Sequence, residues 1–209
     1  MIAPRVRWMS ALCIAFFTIV FFRPDIMNID TIARRRQISS RVTYLVTRIK
    51  SNDRKDEALS ELVTIAKGRF EFGAMKAIVG IGELGVEATP ILDVLGSQLF
   101  RGGYIAQEAA FSLAELGSIA KSQLPQLEKA IDDQSFNSRH NAYEAIGNMG
   151  VDAIYLLPKL KNHWDSKRTP ISEDPLREAI KKLEQFKESS LIVRESNDSS
   201  GSMGDADSK

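Results

Sequence analysis

Few residues in this chain have types and spacing that could do chemistry. Gly80-Ile81-Gly82-Glu83-Leu84-Gly85 matches the glycine fingerprint of dinucleotide-binding folds. That fingerprint works only where a strand turns into a helix, so that the glycines let backbone approach a pyrophosphate at the helix N-terminus. Here the same small-residue columns recur downstream as Ser112 and Ala114, then as Ala145 and Gly147. The spacing therefore describes helices that approach closely, not a nucleotide cradle. His140 and His163 are the only histidines, and neither sits in an HExxH or a His-Glu pair of the kind a metal hydrolase or hydroxylase needs. The single cysteine, Cys13, permits neither an internal disulfide nor a cysteine-based metal site. Glu83 and Glu87 fall in polar columns and read as solvation. Arg139 and His140 stand where they can bond Asp132 or Asp133 in the preceding turn. No catalytic residue, cofactor, metal or small-molecule substrate is expected.

The elements that must position any site come from a frame that recurs three times. It runs Ala77, Gly85, Ala88, Leu92, Leu95; then Ala109, Gly117, Ala120, Leu124, Leu127; then Ala142, Gly150, Ala153, Leu157, Leu160. The glycines are 32 and 33 residues apart, and a fixed period in this range marks stacked structural units. Before each glycine, Ala77, Ile81 and Leu84 and their counterparts step by four and three, which places them on one helical face. The glycine suits a left-handed turn past a helix end. After it, Ala88, Leu92 and Leu95 repeat the step and predict a second amphipathic helix. Partial copies flank the frame: Ala58, Leu62 and Ile65 upstream, and Ala179, Leu183 and Phe186 downstream, with Lys187 where a glycine would stand. Four helix pairs follow, and the expected fold is all-α, a short α-solenoid. No strand-like alternation competes with it.

The segments "AFSLAELGSIAKSQLPQL" and "AYEAIGNMGVDAIYLLPKL" resemble HEAT-like repeats, especially the short kind of the phycobilisome lyases, with Pro125 and Pro158 in the second helix of the motif. The resemblance covers roughly residues 57–187. It implies a fold and little about activity. The family's internal aspartate and arginine are matched only by Asp133 and Arg139, since Ala74 and Ala106 occupy the arginine column. A ladder of such pairs is not expected.

The N-terminus carries an uncharged run of fifteen residues from Trp8 to Phe22, between Arg7 and Arg23. As a helix it would span about 22 Å, short of the ~30 Å hydrocarbon core, so snorkelling arginines and local thinning are required. An uncleaved single-pass anchor over residues 1–23 is the expectation, a cleaved signal leading to a secreted or periplasmic chain the alternative, and the side of the membrane stays open. Residues 24–56 read as a basic helical stalk, 57–187 as the repeat domain and 188–209 as a disordered acidic tail. The near-neutral total of +1 hides a gradient: residues 1–56 carry 11 Lys/Arg against 4 Asp/Glu, a net of +7. Within the stalk, Arg34, Arg35, Arg36 and Arg41 either meet anionic headgroups or form a solvated helix face opposite the stripe Ile38, Val42, Leu45, Val46 and Ile49. Residues 57–158 carry 7 Lys/Arg against 13 Asp/Glu, the wrong sign for a phosphate-tracking groove, and no nucleic-acid partner is expected.

The spacing from Ala142 to Ala179 is 37 residues, and the excess falls in "NHWDSKRTPISEDP". His163, Trp164, Lys167 and Arg168 there form a candidate contact loop, or Trp164 caps the core end. Lys76, Glu108 and Asn141 share one polar column beside the second-helix alanines and are the candidate concave-face contacts. The function these readings imply is a membrane-anchored scaffold for a protein or peptide partner, without catalysis. A chromophore-lyase-like or lyase-accessory role, suggested by the resemblance alone, and an exported binding protein are the alternatives.

Overall fold

The computed structural model describes residues 24–133, 139–166 and 174–201. Among these residues the chain is all-helical and contains no strand. Helices α1 (Pro24–Lys50), α2 (Lys55–Lys67), α3 (Glu71–Gly82), α4 (Leu92–Gln98), α5 (Gly103–Leu116), α6 (Leu124–Asp132), α7 (Arg139–Asn148), α8 (Leu157–Asp165) and α9 (Pro175–Gly201) follow in chain order. The chain divides between Arg41 and Val42 into two units. Val42, Leu45, Val46 and Ile49, the stripe of the expected stalk, are buried and belong to the second unit. The cause is close packing: a Cβ on Gly80 would stand 3.0 Å from the side chains of Val42 and Val46.

Within the second unit the alanine columns explain the packing. Ala58, Ala88, Ala120 and Ala153 in the first half of each pair, and Ala77, Ala109, Ala142 and Ala179 in the second, are all at most 1% exposed. A methyl at these points lets one helix lie against the next, and the leucines between them supply the buried area, about 2–3 kcal/mol for each fully buried side chain. Helix α3 packs on α5, α5 on α7 and α7 on α9, while α2, α4, α6 and α8 each lie against their following partner. Gly147 shows how near the backbones come, since a Cβ there would meet the Ala179 Cα at 3.0 Å.

The turn differs from its expected form in two ways. Gly85, Gly117 and Gly150 have φ of 61°, 52° and 63°, positive as anticipated. Gly117, however, has ψ −128°, outside the left-handed helical basin and in territory that side chains rarely enter. The segment after each glycine is not one helix. It is a 3-10 turn, Gly85–Ile91, Gly117–Gln123 and Gly150–Leu156, followed by a short α-helix. Successive 3-10 turns touch one another, and the alanine three residues past the glycine makes that approach possible. Pro125 and Pro158 stand in the first turns of α6 and α8, where a missing N–H leaves no hydrogen bond unmade.

The C-terminal part also departs from expectation. Helix α9 runs on to Gly201, so residues 188–201, expected to be disordered, are helical. Lys187 offers no glycine turn, and the Ser189 and Ser190 hydroxyls bond back to the carbonyls of Gln185 and Lys187 at 2.9 and 2.7 Å. The rest of the expected tail, 202–209, lies outside the described residues, as does the apolar run from Trp8 to Phe22.

Candidate functional site

The candidate contact surface lies on α3, α5 and α7, whose register is held by side chains bonding to backbone. The Ser112 Oγ donates to the Ile78 carbonyl at 3.1 Å, the Asn141 amide to Gln107 at 3.2 Å and the Asn148 amide to Ala114 at 3.0 Å, each across 34 residues. A constant offset between successive helices means that they run in the same direction and that matching columns stand side by side. These three bonds form a ladder across the helices.

The outward columns of this face are unusually apolar. On α5, Tyr104 is 67% and Phe111 45% exposed. In the matching columns of α3, Phe72 and Val79 are half-buried, and Met75 beside them is half-buried too. Around them stand Glu83, Glu115 and Glu144, exposed, and Glu108, half-buried. Among the described residues none of these four carboxylates makes a hydrogen bond or ion pair. Lys76 stands beside the apolar columns, its Nζ 5.9 Å from the Phe72 ring centroid, a cation–π distance.

The residues nominated from sequence are dispersed. Lys76 is exposed and Glu108 half-buried, but Asn141 is only 7% exposed. Its amide is spent on the Gln107 carbonyl. His163 and Trp164 are half-buried on helix α8, not on a loop; the helix keeps going because Leu157, Leu160 and Trp164 continue its inward stripe. Lys167 and Arg168 lie outside the described residues. Arg34, Arg35, Arg36 and Arg41 are exposed on α1 in the first unit. Tyr104 and Phe111 escaped sequence reading; the available signal was two aromatics seven residues apart on an otherwise polar helix face.

His163 belongs to a polar cluster joining α6, α7 and α8. Its Nδ1 is 3.3 Å from the Tyr143 hydroxyl and its Nε2 is 3.6 Å from the Asp132 carboxylate. Lys159 donates to Glu128 at 2.7 Å and to Asp132 at 2.8 Å, and those two hydrogen bonds, Asp132 first, raise its pKa above the ordinary lysine range. Burial raises the Tyr143 pKa, with Arg139 opposing and Asp174 and Asp132 adding to it. A tyrosine kept neutral is no nucleophile, and the cluster reads as a clamp between helices. Arg139 bonds the Asp133 carbonyl through Nε and Nη2 at 3.2 and 3.1 Å, the expected neighbour by its backbone oxygen.

Glu144, Pro175, Glu178, Ala179 and Lys182 line a cleft of about 250 Å³ between α7 and α9. That is below the ~300–1,000 Å³ of ordinary small-molecule sites, and the Lys182 Nζ donates to the side-chain Oδ1 of Asn148 at 2.8 Å. Among the described residues no group of three His, Cys, Asp or Glu could hold a metal ion, and no helix is long and apolar enough to cross a membrane. No protein-family model, curated protein or solved structure matches the chain.

Proposed function

We propose that this chain is a membrane-anchored α-solenoid of HEAT-like helix pairs that holds a protein or peptide partner and has no catalysis of its own. The 32- and 33-residue glycine period supports the repeat reading, and the constant 34-residue step of the cross-helix bonds agrees with it. The anchor rests on the apolar run Trp8 to Phe22. The observation that carries the binding role is the outward pair Tyr104 and Phe111. Large apolar groups displayed in columns, on a scaffold whose own core is complete without them, are the ordinary signature of a contact surface.

Two measurements test the proposal together. The full chain sediments with membranes and resists alkaline carbonate extraction. A photo-crosslinking phenylalanine analogue at position 111 gives one adduct of fixed mass in cells, lost when Tyr104→Ala is added, whereas the same analogue at position 151 gives none. A chain extracted by carbonate refutes the anchor. Failure to form any adduct at position 111 refutes the binding face.

A further inference from the structure

The α3–α5 face has a chemical bias that specifies its occupant. Apolar groups stand in its middle, Phe72, Met75 and Val79 on α3 beside Tyr104 and Phe111 on α5, and four carboxylates, Glu83, Glu108 and Glu115 with Glu144 in the next helix, outnumber Lys76, whose ammonium lies over the Phe72 ring. Those carboxylates lack partners among the described residues. A neutral partner seated on the apolar columns would strip water from them with nothing in exchange, which is costly. A phosphate backbone or an anionic lipid surface would be repelled. A cationic partner gains both the apolar burial and the charge pairs, and is steered to the face at long range.

Resting on the scaffold reading above, we infer that this face binds a basic amphipathic helix. Tyr104 and Phe111 lie seven residues apart on α5, two helical turns or about 10.5 Å. A helical peptide with apolar residues at the same interval can set its own stripe against both rings, and lysines or arginines flanking that stripe reach the glutamate columns. Helix-in-groove recognition of this kind is read by anchors at i, i+3, i+4 and i+7.

The test uses the full chain in non-ionic detergent as analyte over immobilised fifteen-residue peptides. One carries Lys and Leu in an amphipathic helical pattern, one carries Glu and Leu in the same pattern, and one carries the Lys and Leu residues scrambled. The Lys/Leu helix binds at least tenfold more tightly than either other peptide. Phe111→Ala and Tyr104→Ala each weaken it at least fivefold, and Glu83→Gln with Glu115→Gln flattens its salt dependence. Both aromatics are exposed, so thermal melts of these variants match the parent. Equal affinity for the Lys/Leu and Glu/Leu helices, or a loss produced equally by Val86→Ser and Val151→Ser on the turns, overturns this assignment and leaves the scaffold reading standing. Binding to none of the three peptides, together with no crosslinked adduct at position 111, overturns both.

Discussion

Gly85, Gly117 and Gly150 hold one place in three repeats, yet a methyl group added to each meets different surroundings. At Gly85 nothing lies within 4 Å, so alanine there bears only the strain of a positive φ, about 1–2 kcal/mol. At Gly117 the added carbon would also stand 3.1 Å from the Asn148 carbonyl oxygen, and ψ −128° is itself a glycine conformation. Gly117→Ala therefore costs about 3 kcal/mol or more, and Gly85→Ala clearly less. Urea unfolding midpoints check the order, and equal losses would show that backbone strain alone decides. Lys159 supplies a pH test. Its folded pKa lies above its unfolded value of about 10.4, so the stabilisation from Asp132 and Glu128 is complete below that value and is lost as pH rises through the folded one. Tyr143, raised by burial, acts in the same sense. Stability thus falls on the alkaline side above about pH 10, and Lys159→Met makes that fall shallower. A slope unchanged in the variant would remove Lys159 from the account.

At the scale of elements, what was legible in the sequence and what was not divide along physical lines. The alanine columns were legible because a helix face shared between neighbours admits only small residues, and all eight alanines are buried. The glycine turns were legible for their sign of φ. The split of each post-glycine segment was hidden, because a four-then-three step such as Ala88, Leu92, Leu95 fits a continuous helix as well as a 3-10 turn joined to an α-helix. Asn141 and Lys76 share a column, yet one is buried by a cross-helix bond and the other is exposed; single-residue periodicity carries no news of such a bond. The proposed binding face was hidden for a related reason, since Phe111 looks like a core residue until its exposure is known. Helix α9 offers a test at this scale. Beyond Lys187 its apolar residues Leu191 and Ile192 are 48% and 67% exposed, so this stretch is helical without being packed. Glu188→Pro breaks the helix there, lowering far-ultraviolet helical ellipticity while the melting temperature stays within about 2 °C. A larger fall, which in a chain of this size corresponds to roughly 1 kcal/mol or more, would mean that the segment is part of the core.

In the second unit each helix pair lies against the next, and on the proposed solenoid reading stability depends on neighbours rather than on one central core. Gly117 shows the dependence in a single contact, since the carbonyl that crowds it belongs to Asn148 of the following repeat. The last cover is α9. Its Leu176, Ala179 and Leu183 are at most 1% exposed, and its partners are α7, the third 3-10 turn and α8. Charge agrees with that role, because Arg177, Lys181 and Gln185, four residues apart on one side of α9, are exposed, the polar outer face that the proposed terminal repeat requires. A chain ending at residue 173 therefore uncovers Ala142, Ile146, Met149 and Leu160 together. Removing the apolar contacts of even one large core side chain costs about 2–5 kcal/mol, and a whole helix removes several at once, against a total stability of about 5–15 kcal/mol. That chain loses its cooperative melt and aggregates, whereas one ending at residue 192 melts as the full chain does. If the shorter chain stayed monomeric with a cooperative transition, α7 and α8 would have to be stable unaided, and the nearest-neighbour account of this fold would fail.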